Sequence, residues 1–229
     1  MLHKDTVKPG TLDLITRLMQ DQHFNSFYLV GGTALALKLG HRESIDIDLF
    51  NSSVFDAEKL AVHLQKEYGA HIKRQKSNYI SGNIRQIDFD LIAHQYPSVK
   101  PLETIQGIRM MSIEDIAAMK INAIVNNGTR IKDFIDIHYL LQEFSCENIV
   151  DFYCSKYPNV DAGMARSSLL YHQDIDFNVP VILKDKRLKW ENVERSIISA
   201  IAEHDQKQSN INNLDDENDI GYKGGGFGR

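Results

Sequence analysis

No run of this chain approaches the roughly 18 apolar residues that a membrane-spanning helix needs. Its opening, MLHKDTVKPG, lacks the apolar stretch of a secretory signal. Both absences point to a cytoplasmic protein with no membrane partner. Cysteine is almost as scarce: Cys146 and Cys154 are the only two, eight apart in one helical segment. That is no disulfide framework, and too few for a zinc site without distant histidines, so they read as reduced thiols. Basic charge is in deficit too, with a net charge of −5, which would discourage a nucleic-acid partner if it were spread evenly. It is not spread evenly. Residues 203–219 hold Glu203, Asp205, Asp215, Asp216, Glu217 and Asp219 against Lys207 alone, and this segment carries the whole imbalance. The rest of the chain is neutral.

What is present is 229 residues at 42% hydrophobic, enough to bury a proper core. The acidic segment, between QKQSNINN and GYKGGGFGR, has too few apolar side chains to offset the entropy of ordering and reads as a disordered tail over 205–229. Upstream, TLDLITRLMQDQ places Leu12, Ile15, Leu18 and Met19 at helical spacing behind Thr11 as cap. The run Phe27–Val30 then stops at Gly31 and Gly32, as a buried strand does at a tight turn. Residues 33–39 form a short helix, 45–50 a second strand, and 56–68 a helix with Leu60, Val62 and Leu64 inward. Residues 70–76 and 84–93 read as two further strands, reversing near Gly82 and Asn83. After Pro97 and Pro101 the pattern turns helical. Ser112 and Asp115 open one helix, which Asn126, Asn127 and Gly128 stop, and Thr129 opens the next. Segments 147–157, 161–172 and 190–204 complete the series. These elements make an α+β protein: a mixed-sheet core over 1–100, then a helical domain over 101–204.

The stretch YLVGGTALALKLGHRESIDIDLF carries the chemistry. A glycine pair between strand and helix lets the backbone bend sharply and leaves N–H groups open to an anion at a helix start. Thr33 adds a hydroxyl. In a strand, Asp46 and Asp48 share one face about 7 Å apart, with Ile45, Ile47 and Leu49 on the other. Carboxylates so placed repel unless water or a cation relieves them, and an all-oxygen site suits Mg²⁺ beside substrate phosphates. RQIDFDLIAH repeats the pattern with Asp88 and Asp90. If its strand lies beside the first, a third carboxylate completes a clamp for two ions. Glycines for the phosphates of a nucleoside triphosphate and aspartates for the metals together spell nucleotidyl transfer.

The order of glycine pair, short helix, Asp-x-Asp and later strand aspartate is similar to the polymerase-beta-type nucleotidyltransferase superfamily. Three longer strings, GGTALALKLGHRESIDIDLF, DFDLIAHQYP and GIRMMSIEDIAAMKINAIVNNGTRIKDFIDIHYLL, resemble the AbiEii/AbiGii toxin family of nucleotidyltransferases. The likeness spans roughly residues 24–143 and extends weakly to Trp190. It implies Gly31, Gly32 and Thr33 as the nucleotide cradle, and Asp46, Asp48 and Asp90 as catalytic metal ligands. Asp90 is preferred to Asp88 because DLIAHQYP resembles the family's strand end. Lys120 in AAMK and Asp136 in KDFIDI match the family's second-half motif and count as catalytic, with Asp133 one turn before Asp136. Ile45 stands where the family often has arginine or a small residue, and the acidic tail has no family counterpart. The family further implies a toxin of a two-gene toxin–antitoxin or phage-defence pair, held by a cognate antitoxin and acting on RNA such as tRNA.

Several residues keep two readings. Arg42 and Ser44 either touch the nucleotide or, for Arg42, pair with a core carboxylate. Lys120 lies in an apolar stripe with Ile113, Ala117 and Ile124, so it either meets a triphosphate or snorkels. Asp133 and Asp136 form either a site or a surface ion-pair network with Arg130 and Lys132. Lys66, Lys73, Arg74, Lys76 and Arg85 either track a phosphate backbone or form a solvated face. His41, His94 and His138 share no spacing and read as structural or surface. A small-molecule or protein hydroxyl as acceptor, and a non-catalytic nucleotide-binding module, are the alternative functions.

Overall fold

The computed structural model describes the backbone of residues 1–221 and the side chains of residues 1–206. In chain order the sheet half comprises α1 (Pro9–Gln20), β1 (Phe27–Val30), α2 (Gly31–Leu39), β2 (Ile47–Asn51), α3 (Ala57–Tyr68), β3 (His71–Lys76), β4 (Tyr79–Ile84), β5 (Ile87–Ala93), β6 (Glu103–Ile105) and β7 (Ile108–Met110). The helical half follows as α4 (Ile113–Asn126), α5 (Ile131–Glu143), α6 (Cys146–Lys156), α7 (Ala162–Leu170) and α8 (Trp190–Gly221). The strands form one mixed sheet in the order β3-β4-β5-β2-β1-β7-β6. β2 runs parallel to β5 and antiparallel to β1, and β1 runs parallel to β7. The architecture is α+β, as the sequence suggests.

Burial explains the centre. All four residues of β1 are buried, as a strand covered on both faces requires, whereas β2 alternates, with Ile47 and Leu49 in the core and Asp48 and Phe50 half-buried. α4 is capped by Ser112, whose Oγ accepts from the Asp115 amide, and packs against α2, α5, α6 and α7. Residues of both halves join a single hydrophobic core. No helix of the described residues is long and apolar enough to cross a membrane.

The structure departs from the sequence expectations in several places. α1 begins at Pro9, a residue whose fixed φ suits the first turn, so Thr11 lies inside the helix. β2 begins at Ile47, and Ile45 is exposed rather than inward. Val62 also faces out, because Ala57 and Ala61 complete the buried stripe of α3 with Leu60 and Leu64. Residues 71–93 hold three strands. The chain reverses at Asn78 (φ 61°) and at Arg85–Gln86 (φ 50° and 67°), while Gly82 lies within β4, where a Cβ would crowd the His71 carbonyl and the Phe89 ring. A β6–β7 hairpin extends the sheet to Met110, past the expected boundary at residue 100, on strands too short to show a period. Finally, α8 continues to Gly221 through most of the segment read as a tail. Once Val193, Ile197 and Ile201 are packed, the cost of helix nucleation is already met and propagation needs no further apolar side chains. Residues 222–229 of that expectation lie outside the described residues.

One ion pair fixes the turn from sheet to helices. Lys156 Nζ, fully buried in α6, lies 2.7 Å from Asp115 Oδ1 and 3.1 Å from the Pro97 carbonyl. Asp115 also accepts from the Val99 and Lys100 amides and from Ser112 Oγ. Removing one partner of such a pair strands the other charge. Lys156→Met is therefore expected to cost about 3–5 kcal/mol in urea denaturation; a loss below about 1 kcal/mol would show the pair to be dispensable.

Candidate functional site

β1 ends at Val30 and the chain turns into α2 at Gly31, whose φ of +69° favours glycine. A second constraint acts there, since a Cβ on Gly31 would overlap Asp48 Oδ2. On Gly32, a Cβ would lie 2.6 Å from an Arg42 guanidinium nitrogen and 3.3 Å from Ser44 Oγ. The glycine pair thus makes room for the side chains of the segment leading into β2. Thr33, expected in the nucleotide cradle, is fully buried: its Oγ1 donates to the Asp46 carbonyl (2.5 Å) and lies 2.9 Å from Ser44 Oγ. Its hydroxyl holds residues 44–46 in place.

Parallel pairing of β2 with β5 sets Asp48 directly beside Asp90. No donor among the described residues bonds the Asp48 carboxylate. Burial, then the negative charge of Asp90, push its pKa up to about 6 against the pull of Lys120. Asp90 accepts from the Tyr79 hydroxyl at 2.8 Å. Asp88 is exposed and engaged elsewhere, with Lys73 at 2.6 Å and Asn83 at 3.0 Å. Asp46 precedes the strand, and its nearest cation is Lys132 at 4.0 Å. Three carboxylates, one of them half-buried, raised in pKa and without a donor, make a donor set that fits a hard divalent cation. They are not drawn tightly together. The only three metal-ligating side chains among the described residues with donor atoms all within 4.8 Å of one another are Asp21, His23 and His63, near the opposite end of β1. There Asp21 already caps the His23 amide (2.9 Å) and accepts from the Tyr68 hydroxyl (2.8 Å).

Behind this site lies a buried polar cluster. Asp136 of α5 accepts from Arg42 Nε (2.6 Å) and Nη2 (2.8 Å), sits 2.7 Å from His41 Nε2, and pairs with Lys120 Nζ at 2.7 Å. Lys120 also bonds Asp133 at 2.7 Å, and Arg130 reaches the other Asp133 oxygen at 3.1 Å. Burial alone would raise the Asp136 pKa, but Arg42 and then Lys120 hold it well below the usual carboxylate range. Burial would likewise lower Lys120, and Asp136 and Asp133 reverse that and raise it. Burial keeps His41 neutral in spite of Asp136, so it donates through Nε2 and leaves Nδ1 without a partner.

These contacts decide among the readings left open. Arg42 pairs with a core carboxylate, and Gly32, having no Cβ, leaves room for its guanidinium. Asp133 and Asp136 are fully buried, so they are no surface network. Lys120 is buried between them rather than snorkelling. The segment after α7 secures the same region: Arg42 forms a β-bridge with Leu183, the Glu43 amide donates to the Ile182 carbonyl (2.8 Å), and the Lys184 amide to the His41 carbonyl (3.0 Å). Sequence reasoning missed this strap, which has no period, and gave Tyr79 to a turn.

A cleft of about 190 Å³ opens in front of Asp48, between the sheet and α4. Gly31, Gly32, Asp48, Lys120 and Arg130 line its polar side, and Phe50, Ile92, Ile116 and Met119 its apolar side. A second hollow of about 240 Å³, with Ser44, Asp46, Lys132 and Val179 among its walls, adjoins the other flank of Asp46. The arrangement can hold a polyanion against a helix start and fixed cations beside carboxylates suited to a metal.

Comparison with known proteins gives the family and the fold. The family model for the nucleotidyl transferase AbiEii toxin, a type IV toxin–antitoxin system, matches residues 13–210. The uncharacterized protein aq_aa25 of Aquifex aeolicus (strain VF5) is 30% identical over 186 residues, covering 79% of this chain and 88% of that protein. A crystal structure from H. pylori, assigned as a nucleotidyltransferase, superposes with a TM-score of 0.53 at 18% identity, covering 88% of this chain and 98% of that one. That last likeness is one of fold.

Two measurements follow from the charges. Asp136→Ala leaves Arg42 and Lys120 short of a counter-charge in the interior and is expected to cost about 3–5 kcal/mol in urea denaturation; near-wild-type stability would contradict the cluster's charge balance. For Asp48 the sign is opposite. Its folded pKa of about 6 lies above the ordinary 3.8, so the ionised form destabilises the fold above pH 6, and the cost fades as pH falls towards 4. In chelator, Asp48→Asn is expected to be more stable than wild type by about 3 kcal/mol at pH 7–8, with the difference vanishing near pH 4. A pH-independent difference would exclude the buried carboxylate as its source.

Proposed function

The chain belongs to the AbiEii family of toxin nucleotidyltransferases, and from that premise we propose that it transfers a nucleoside monophosphate, with Mg²⁺, from a nucleoside triphosphate to an RNA acceptor such as tRNA. The observation that carries this reading is the pairing of donor-free Asp48 with Asp90 in front of the Gly31–Gly32 turn. A half-buried carboxylate with no donor and a second carboxylate beside it suits a cation, and the turn next to it offers N–H groups to phosphate.

Asp46, Asp48 and Asp90 would hold the Mg²⁺, which when bound supplies positive charge between the carboxylates and the triphosphate. The protein's own groups do the rest. The amides at the start of α2 bind phosphate oxygens, with Lys120 and Arg130 as fixed positive charge on the same wall. Asp90, whose other oxygen accepts from Tyr79, would take the proton of the attacking hydroxyl at its free oxygen as pyrophosphate leaves. Asp136 and Arg42 act one step back, by holding the segment that ends in Asp46. An RNA acceptor is favoured by Lys73, Arg74 and Lys76 on edge strand β3, in the same sheet as Asp90. A cognate antitoxin and a cytoplasmic site of action belong to the same proposal.

The test is incubation of wild type and Asp46→Ala/Asp48→Ala with total RNA, Mg²⁺ and each of the four α-labelled nucleoside triphosphates, followed by a gel. A labelled RNA band that needs both aspartates and is lost in chelator is the expected result. Labelling by the double variant would contradict the assignment of the aspartates, and protein or small-molecule label in place of RNA would move the acceptor to those classes.

A further inference from the structure

The apolar side of the cleft has no assigned role, and its register is informative. Phe50 pairs with Ile92 one same-face step beyond the Asp48–Asp90 pair, about 7 Å along the strands. Ile116 and Met119 of α4 face the same space. None of these four side chains carries a hydrogen-bonding group. A triphosphate at the glycine turn therefore has an apolar surface next to it, and the part of a nucleotide that matches such a surface is the flat face of its base.

Phe50 is also held like a fixed platform. The His94 ring lies against it, with centroids 4.7 Å apart and an interplanar angle of 25°, and does not itself line the cleft. The His94 amide donates to the Asn51 carbonyl at 2.8 Å, which ties this backing ring to the end of β2. Tyr96 and Tyr157 pack against His94 in turn, with centroids 4.9 and 6.0 Å away. Burial, with Lys156 nearby, pushes the His94 pKa down to about 4, so the stack is uncharged at neutral pH. Uncharged, aromatic and backed by a second ring, Phe50 presents one supported face to the cleft.

We infer that Phe50 is the stacking surface for the nucleobase of the substrate triphosphate, and that this side of the cleft grips the base by its face instead of reading its edges. The inference rests on the proposed triphosphate site at Gly31, Gly32 and Lys120. Stacking of this kind is tolerant of base identity, because every base has a π-face. His94 is a positioning residue that fixes the ring of Phe50. Any preference for one nucleotide then comes from the acceptor or from groups outside these four residues.

Equilibrium binding separates the two halves of the site. The probes are the non-hydrolysable α,β-methylene triphosphates of all four nucleosides, and inorganic tripolyphosphate, each titrated with Mg²⁺ into wild type, Phe50→Ala and Phe50→Trp. The expected result is that Phe50→Ala weakens all four nucleotides by roughly 5- to 150-fold, the factor equivalent to about 1–3 kcal/mol of base–aromatic stacking. Phe50→Trp should stay within a few-fold of wild type, and tripolyphosphate should bind all three proteins alike, which also controls for folding. Unchanged nucleotide affinity in Phe50→Ala overturns the stacking role while leaving the phosphate site standing. A parallel loss of tripolyphosphate shows Phe50 to be a wall of the cleft and overturns the inference as well. If wild type binds neither nucleotide nor tripolyphosphate, the triphosphate site itself falls, and this inference with it.

Discussion

Asp136 holds the two halves of this protein in register. A carboxylate fully removed from water is tolerable only when its charge and lone pairs are met, and here Arg42, Lys120 and His41 meet them from two different parts of the chain. Lys120 comes from α4. Arg42 and His41 come from the connection between α2 and β2, the segment that goes on to Asp46. The buried members balance two cations, Arg42 and Lys120, with two anions, Asp133 and Asp136, while Arg130 joins Asp133 from the surface, so this buried set carries no net charge and its geometry is strongly constrained. Buried pairs of this kind add little net stability compared with an apolar core, since desolvation offsets most of the attraction. In this account their value is positional.

Position is what the neighbouring aspartates need. Asp48 and Asp136 lie in the same region and are perturbed in opposite directions. Asp136 is saturated with donors and held as a permanent anion, whereas Asp48 has none and is pushed towards its neutral form by burial and by Asp90. The contrast is one of surroundings: a satisfied carboxylate builds the frame, and an unsatisfied one faces the cleft. The glycine turn joins the two, since Gly31 gives way to Asp48 and Gly32 to Arg42. Substituting either glycine would disturb a carboxylate site and its support before any nucleotide arrived. This is why a glycine pair and an Asp-x-Asp occur in one short stretch.

Much of this was legible in the chain. The β1 run ending at Gly31, the repeat of Asp-x-Asp in a second strand, and Lys120 within an apolar stripe all follow from local period and chemistry. What local period cannot show is who meets whom across the fold. Arg42 as a phosphate contact and as a partner of a core carboxylate are equal on paper, and only the packing of α5 against the α2–β2 connection separates them. Ile45 alternates with Ile47 and Leu49 as a core residue would, but the strand starts two residues later and leaves it in solvent. The reversals at Asn78 and Arg85–Gln86 use left-handed non-glycine residues, so Gly82 drew the turn to the wrong place. The strap at 182–184 meets residues 41–43 through backbone pairing, with Lys184 Nζ 3.8 Å from Glu43 Oε1 beside it, and no side-chain period announces such pairing.

Asp136 is expected to act at a distance from the substrate, by fixing residues 41–46, and hydrogen–deuterium exchange of wild type and Asp136→Asn tests this. Asparagine keeps the volume and some acceptor capacity but removes the charge that Arg42 and Lys120 require. The expected result is a marked rise in exchange over residues 41–46, with β3 and β4 keeping wild-type protection. Unchanged protection at 41–46 in a variant that has lost nucleotidyl transfer would contradict it, and would place Asp136 among the groups that touch the substrate.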